Sequence, residues 1–412
     1  MYSRRRKELL ESLPDYSITL LYSSKAPYSI GDEQYPFKVD RNFFYYTGLD
    51  YEGLYLMLVK MDETSQEMIY IEPFDELQAK WVGGKVKAEE ARLTSLVNDV
   101  RFIADLKLDI AKIINTYGVN NRFTLCTDLK KQYLEQKNEV LNLFNEIKLQ
   151  QGDVEIKNIN REISIMRMKK DDSEIDKMRH AINITKTAIE TVMSYTRENV
   201  WEYELEAYFD YILKANKCDH AFDTIMASGK NATILHYRNN DQYVEKDSLI
   251  LIDCGASYQK YNADVTRTFP ASGKFTERQK QIYDIVLRGN KYIASIARAN
   301  VTTKWLNERL IEFYQHELKN IGLLENGKTV RDYYWHGVSH PIGLETHDCN
   351  LPDYPLVAGA VISDEPGLYL EDEGIGIRIE DDLLITEKGC EVLTKDIIKE
   401  INEIEEFMAS FE

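Results

Sequence analysis

Short apolar runs and longer amphipathic stretches alternate along this chain, and their texture changes near its middle. In the first part, residues 18–22, 43–46, 54–60 and 68–72 are apolar, aromatic-rich runs bounded by polar turns, a pattern that predicts strands. Residues 106–117 and 131–147 carry apolar side chains at helical spacing, and Gly118 follows the first stretch where a C-cap glycine belongs. This part reads as an α/β domain.

A boundary falls near 152–162, which divides the chain into an N-terminal domain over 1–158 and a larger one over 159–412. Asp171 or Asp172 caps a long predicted helix whose apolar stripe is Ile175, Met178, Ile182, Ile189 and Met193. A second helix places Trp201, Leu205, Phe209 and Ile212 on one face. A third starts at Thr276-Glu277-Arg278-Gln279, a capping-box pattern. Strand-rich stretches lie between and after these helices. The second part is therefore predicted to be α+β, with helices covering a mainly antiparallel sheet.

At 412 residues, 43% of them hydrophobic and 29% charged, the composition is that of a globular protein with two cores. The formal charge of −18 argues against a nucleic-acid partner or an anionic membrane surface, because binding either needs clustered cations. Five scattered cysteines, odd in number and without a CxxC, point to a reducing cytoplasm. Arg4, Arg5, Arg6 and Lys7 are followed by no long apolar segment, so no secretory signal is expected, and no run approaches a membrane span.

The strand-rich stretches carry the candidate chemistry. Residues 248–255 form an apolar run ending on Asp253, and 261–269 return with Asp264, Thr266 and Thr268 on one face. An antiparallel pairing is expected to bring Asp264 opposite Asp253, and two carboxylates so close require a cation or a shared proton. Residues 360–367 end on Glu365 before a Pro-Gly break, and 374–380 return with Gly376, Arg378 and Glu380 on one face. That company suggests an open, functional surface. His336, His340 and His347 lie within one glycine-punctuated loop, and His236 follows a small, polar run. Carboxylates with one imidazole suit hard or borderline divalent ions, not a thiolate zinc site.

Together these segments closely resemble the pita-bread metallopeptidases, the family of methionine aminopeptidase, prolidase and aminopeptidase P. The likeness is nearest to aminopeptidase P and spans nearly the whole chain. It is carried by Asp253-x-Gly255, by Asp264-x-Thr266-Arg267-Thr268-Phe269, and by His336-Gly337-x-Ser339-His340-x-x-Gly343-Leu344. Glu365-Pro366-Gly367 and Gly376-Ile377-Arg378-Ile379-Glu380-Asp381 complete the set. The stretch from Gly31 to Gly48 adds an N-terminal likeness, with Lys38 where relatives often have arginine. Pro341 stands where they often carry a bulkier aromatic residue or histidine.

The resemblance implies two divalent ions, Mn²⁺ first, with Co²⁺ or Zn²⁺ able to substitute. Asp253 would chelate one, Asp264 and Glu380 would bridge both, and His340 and Glu365 would complete the second. Glu365 would act as general base, with His236 and His347 stabilising the oxyanion. His336, Arg378, Tyr369 and Trp81 would meet a peptide with proline in second position. Cleavage of dipeptides alone, as by a prolidase, stays open, as does a peptide-binding role without catalysis, and a homodimer or homotetramer is expected.

Overall fold

The computed structural model describes residues 1–118, 121–129, 138–351 and 353–411. Contacts divide the chain into two compact units, Met1–Met166 and Arg167–Glu412. The helix Asn160–Met168 carries the chain from one to the other, eight residues beyond the boundary expected from sequence.

In the N-terminal unit a six-stranded mixed sheet runs in the order Asp99–Phe102, Thr64–Ile71, Tyr55–Met61, Ser17–Tyr22, Phe123–Thr127, Val154–Asn158. Helices Leu106–Tyr117 and Glu139–Gln151 bury Ile110, Ile114, Val140, Phe144 and Ile147 against Ile18, Leu20, Met57 and Val59 of the sheet. Positions 131–137 of the predicted second helix lie outside the described residues. One predicted strand is wrong: 43–46 belong to the helix Arg41–Thr47. Asp40 accepts from the backbone N–H groups of Asn42 and Phe43 at 2.9 Å each, and Gly48 ends the helix at φ 71°. This cap and stop outweigh the strand propensity of four consecutive aromatic residues.

The C-terminal unit starts with the helix Asp172–Tyr195, closed by a capping box between Asp171 and Glu174. Met178, Ile182, Ile189 and Met193 of its predicted stripe are buried, and Ile175 is half-buried. In the helix Glu202–Ala215, Leu205 and Phe209 are buried, but Trp201 stands at the N-cap and is 40% exposed. The helix Glu277–Ile296 has the expected Thr276–Gln279 box.

All described strand pairs of this unit are antiparallel. Leu249–Cys254 lies between Ile225–Ser228 and Val265–Pro270. The register sets Thr266, not Asp264, opposite Asp253, because the hairpin, continued by Ala256–Tyr258 against Tyr261–Asn262, closes in a two-residue turn at Gln259 and Lys260, both at positive φ. Asp264 is thus a diagonal neighbour on the same face. Val361–Asp364 pairs with Asp381–Ile385, and Gly367–Leu370 pairs with Ile375–Arg378. Both ladders share one register, so Glu365 and Glu380 face each other in the gap between them. Among the described residues no helix is long and apolar enough to cross a membrane.

Candidate metal centre

Strand parity delivers the acids to one place, and buried polar contacts hold them there. Asp264, His340 and Glu380 present ligand atoms that all lie within 4.8 Å of one another. His340 Nε2 is 3.4 Å from Asp264 Oδ2 and 3.5 Å from Glu365 Oε1. Its Nδ1 lies 3.1 Å from the Pro341 carbonyl, which orients the ring and leaves Nε2 facing the carboxylates. The His340 backbone N–H donates to Ser363 Oγ at 2.9 Å, and that hydroxyl in turn donates to Glu365 Oε1 at 3.2 Å. Thr266 Oγ1 donates to Glu380 Oε2 at 2.6 Å and accepts from Arg378 Nε at 3.1 Å.

Arg378 is 2% exposed, with its guanidinium spread over Asp253 Oδ2 at 2.6 Å, the Tyr369 hydroxyl at 2.9 Å and Thr266. The open surface expected around Gly376 and Arg378 is therefore a packed interior face. Gly376 is bare because a Cβ there would stand 2.0 Å from the Ala232 carbonyl oxygen. Tyr369 also meets His336 Nε2 at 2.9 Å, while His336 Nδ1 lies 2.7 Å from the Gly337 carbonyl. With Nδ1–H donating to that carbonyl, Nε2 accepts from the Tyr369 hydroxyl. The His347 ring packs edge-on to His340 with centroids 4.4 Å apart. His236 is exposed, near enough to both His336 and His347 to influence them electrostatically. Trp81 belongs to the N-terminal unit, where it is 81% exposed on the helix Glu76–Val82.

Electrostatics show what the cluster lacks. Burial pushes Glu365 up to about 7, with Asp264 and Asp253 adding repulsion against the pull of His340 and Arg378. Burial raises Asp264 to about 6, opposed by its hydrogen bond with His340 and reinforced by Asp253. Glu380 is held well above the carboxylate range by burial and then by the charges of Asp264 and Glu365. Burial disfavours charge on His340, but its bond to Asp264 and the charges of Glu365 and Asp264 win, raising it to about 9. The imidazolium and retained protons do the neutralising that a cation would do better. Asp253 Oδ1 is buried without a hydrogen-bond donor, an arrangement costly for a carboxylate unless a cation meets it. The donor set and this orphaned oxygen fit hard divalent ions.

A second group, Glu345, Asp348 and Cys349, also has its donor atoms close together. Here Arg167 and Lys170 already pair with Asp348; against the penalty of burial they hold it at about 2. Positive charge is present without an ion. Sequence reasoning assigned no role to Arg267, Thr266 or Ser363. Fully buried Arg267 bonds the carbonyls of Thr266 at 2.9 Å and Glu380 at 2.6 Å, stitching the two acid-bearing strands together. Strand parity was the signal for Thr266, and Arg267 stood in the motif that carries the resemblance without a role attached; nothing local in the sequence marked Ser363.

The pattern of metallopeptidase family M24 matches residues 176–387, and that of the aminopeptidase P N-terminal domain matches residues 2–121. The chain belongs to metallopeptidase family M24 and is a metal-dependent hydrolase. Within that class it is similar to the Xaa-Pro aminopeptidase of Haemophilus influenzae, 31% identical over 99% of this chain and 96% of the relative. A Bacillus anthracis structure provisionally named an aminopeptidase P superposes with a TM-score of 0.96 at 40% identity, covering 100% of this chain and 98% of that one. Escherichia coli aminopeptidase P with the inhibitor Pro-Leu superposes at 0.90 and 28% identity, with the same coverage. A zinc-substituted form of the latter enzyme matches equally well, at 0.91 and 28%.

Proposed function

We propose that this chain removes the N-terminal residue from peptides whose second residue is proline. The observation that carries the reading is the convergence of Asp264, His340, Glu365 and Glu380 beside Asp253, whose inner oxygen has no donor. Asp253 would hold one divalent ion, Asp264 and Glu380 would be shared, and His340 and Glu365 would complete the second. Mn²⁺ is the proposed ion, since four carboxylates favour a hard cation. The chemistry such ions supply when bound is Lewis acidity and acidification of a water.

The protein groups do the rest. Glu365 takes a proton from the attacking water and returns it to the departing imide nitrogen. His347, lowered by burial and by the neighbouring His340, is neutral near pH 7 and offers an N–H to the developing oxyanion alongside His236. His336 is held at about 3 by burial and then by Arg378, so it presents a neutral ring to the prolyl side. Arg378 orients Asp253 and Tyr369 from behind, and Tyr369 fixes the His336 tautomer. Trp81 is a further residue proposed to meet the peptide. A homodimer or homotetramer in the cytoplasm completes the proposal.

The N-terminal match to aminopeptidase P favours longer peptides over dipeptides. Assay of Xaa-Pro and Xaa-Pro-Xaa with added Mn²⁺, for the native chain and Asp264→Ala, tests both points. Cleavage of the longer peptide is expected, with loss of at least about 10²-fold in the variant. Near-normal turnover by Asp264→Ala overturns the metal reading, and cleavage confined to dipeptides makes the enzyme a prolidase.

A further inference from the structure

The loop that carries His236 is tied to a buried carboxylate outside the metal centre. Glu202, the first residue of the helix Glu202–Ala215, is fully buried. Its Oε1 accepts from the Ser228 backbone N–H at 2.6 Å, the Ser228 hydroxyl at 2.7 Å and Asn231 Nδ2 at 3.2 Å. Its Oε2 accepts from the Tyr237 hydroxyl at 2.8 Å and the Gln242 backbone N–H at 3.0 Å. All five donors are neutral, and all belong to residues 228–242, the stretch in which His236 stands. An ionised carboxylate is acceptor-only and has lone pairs enough for such a set. Hydrogen bonds to it are roughly twice as strong as neutral ones.

One side chain therefore closes both ends of this loop and grips its middle. The loop is also seated against the metal-site strands, since the Ala232 carbonyl lies where a side chain on residue 376 would be. We propose that Glu202 is a positioning residue that sets the shape of the 228–242 loop and aims His236 at the reacting carbonyl. This rests on the reading of His236 as an oxyanion donor. Glutamine is a poor substitute in either orientation, because its NH₂ would face a backbone N–H.

The test is a double-mutant cycle on the full-length, Mn²⁺-loaded enzyme with an Xaa-Pro-Xaa peptide. His236→Ala is expected to lower kcat about 10²-fold, and Glu202→Gln about tenfold, with metal content unchanged in both. In the His236→Ala background, Glu202→Gln should cost less than about twofold more, because the two act as a unit. The same factor in both backgrounds, or no loss in Glu202→Gln, overturns the proposal. Tyr237→Phe, which withdraws one donor, replaces Glu202→Gln if that variant does not fold, and independence from His236 would again be fatal. Amide exchange separates the two readings. A silent His236→Ala removes the oxyanion role and with it the aiming, whereas unchanged exchange across 228–242 in Glu202→Gln shows that Glu202 does not hold the loop.

Discussion

At the scale of single residues, the centre depends on side chains that never face substrate. Thr266 is the clearest: its hydroxyl donates to Glu380 and accepts from Arg378, so it fixes a ligand and the arginine that orients Asp253. Thr266→Val keeps the shape and deletes both bonds. A fall of about 10- to 100-fold in metal affinity is expected, read by titrating Mn²⁺ into chelated protein; unchanged affinity would deny Thr266 this role. Asp253, His340, Glu365 and Glu380 could be picked out from sequence because each ends a strand or sits beside a Pro break, and Asp264 because strand parity puts it on the same face as Thr266 and Thr268. The roles of Arg267 and Ser363 could not be read there, since they consist of contacts to distant backbone and side chains.

Among the elements, caps and close approaches decide what apolar pattern leaves ambiguous. Residues 43–46 look like a strand by composition, but Asp40 and Gly48 bracket a helix, and both bracketing residues were in plain view. Asp40→Ala should cost about 0.5–2 kcal/mol, measured as a lowered chemical-denaturation midpoint of the N-terminal unit. Gly376 was read as a sign of openness, whereas it permits contact with the Ala232 carbonyl. Gly376→Ala forces the 228–242 loop or the strand Ile375–Arg378 to move, at about 1–3 kcal/mol. Thermal denaturation should show the loss, and activity should fall further than Tm alone explains, because that loop carries His236.

Across the whole molecule, the ligand cluster couples stability to pH and metal. Folding raises Asp264 to about 6, Glu365 to about 7 and His340 to about 9. The folded chain then keeps protons that the unfolded chain has released. For these groups, stability in chelator is greatest at low pH and falls as pH rises through those values. Divalent ions must displace the same protons. The Tm gain on adding Mn²⁺ should therefore be larger at pH 8 than at pH 6, and proton release should accompany binding. A gain equal or greater at pH 6 would contradict the assignment.

Local rules in the chain alone determined most elements, the antiparallel second half and the ordered acids and histidines. Periodicity, caps and Pro-Gly breaks act over a few residues, so they are readable without coordinates. Tertiary structure alone decided the register that sets Thr266 against Asp253, the burial of Arg378, and the grip of Glu202 on the His236 loop. Those outcomes depend on loop length and on groups far apart in sequence sharing one buried space. There an unpaired carboxylate oxygen becomes costly enough to imply its cation.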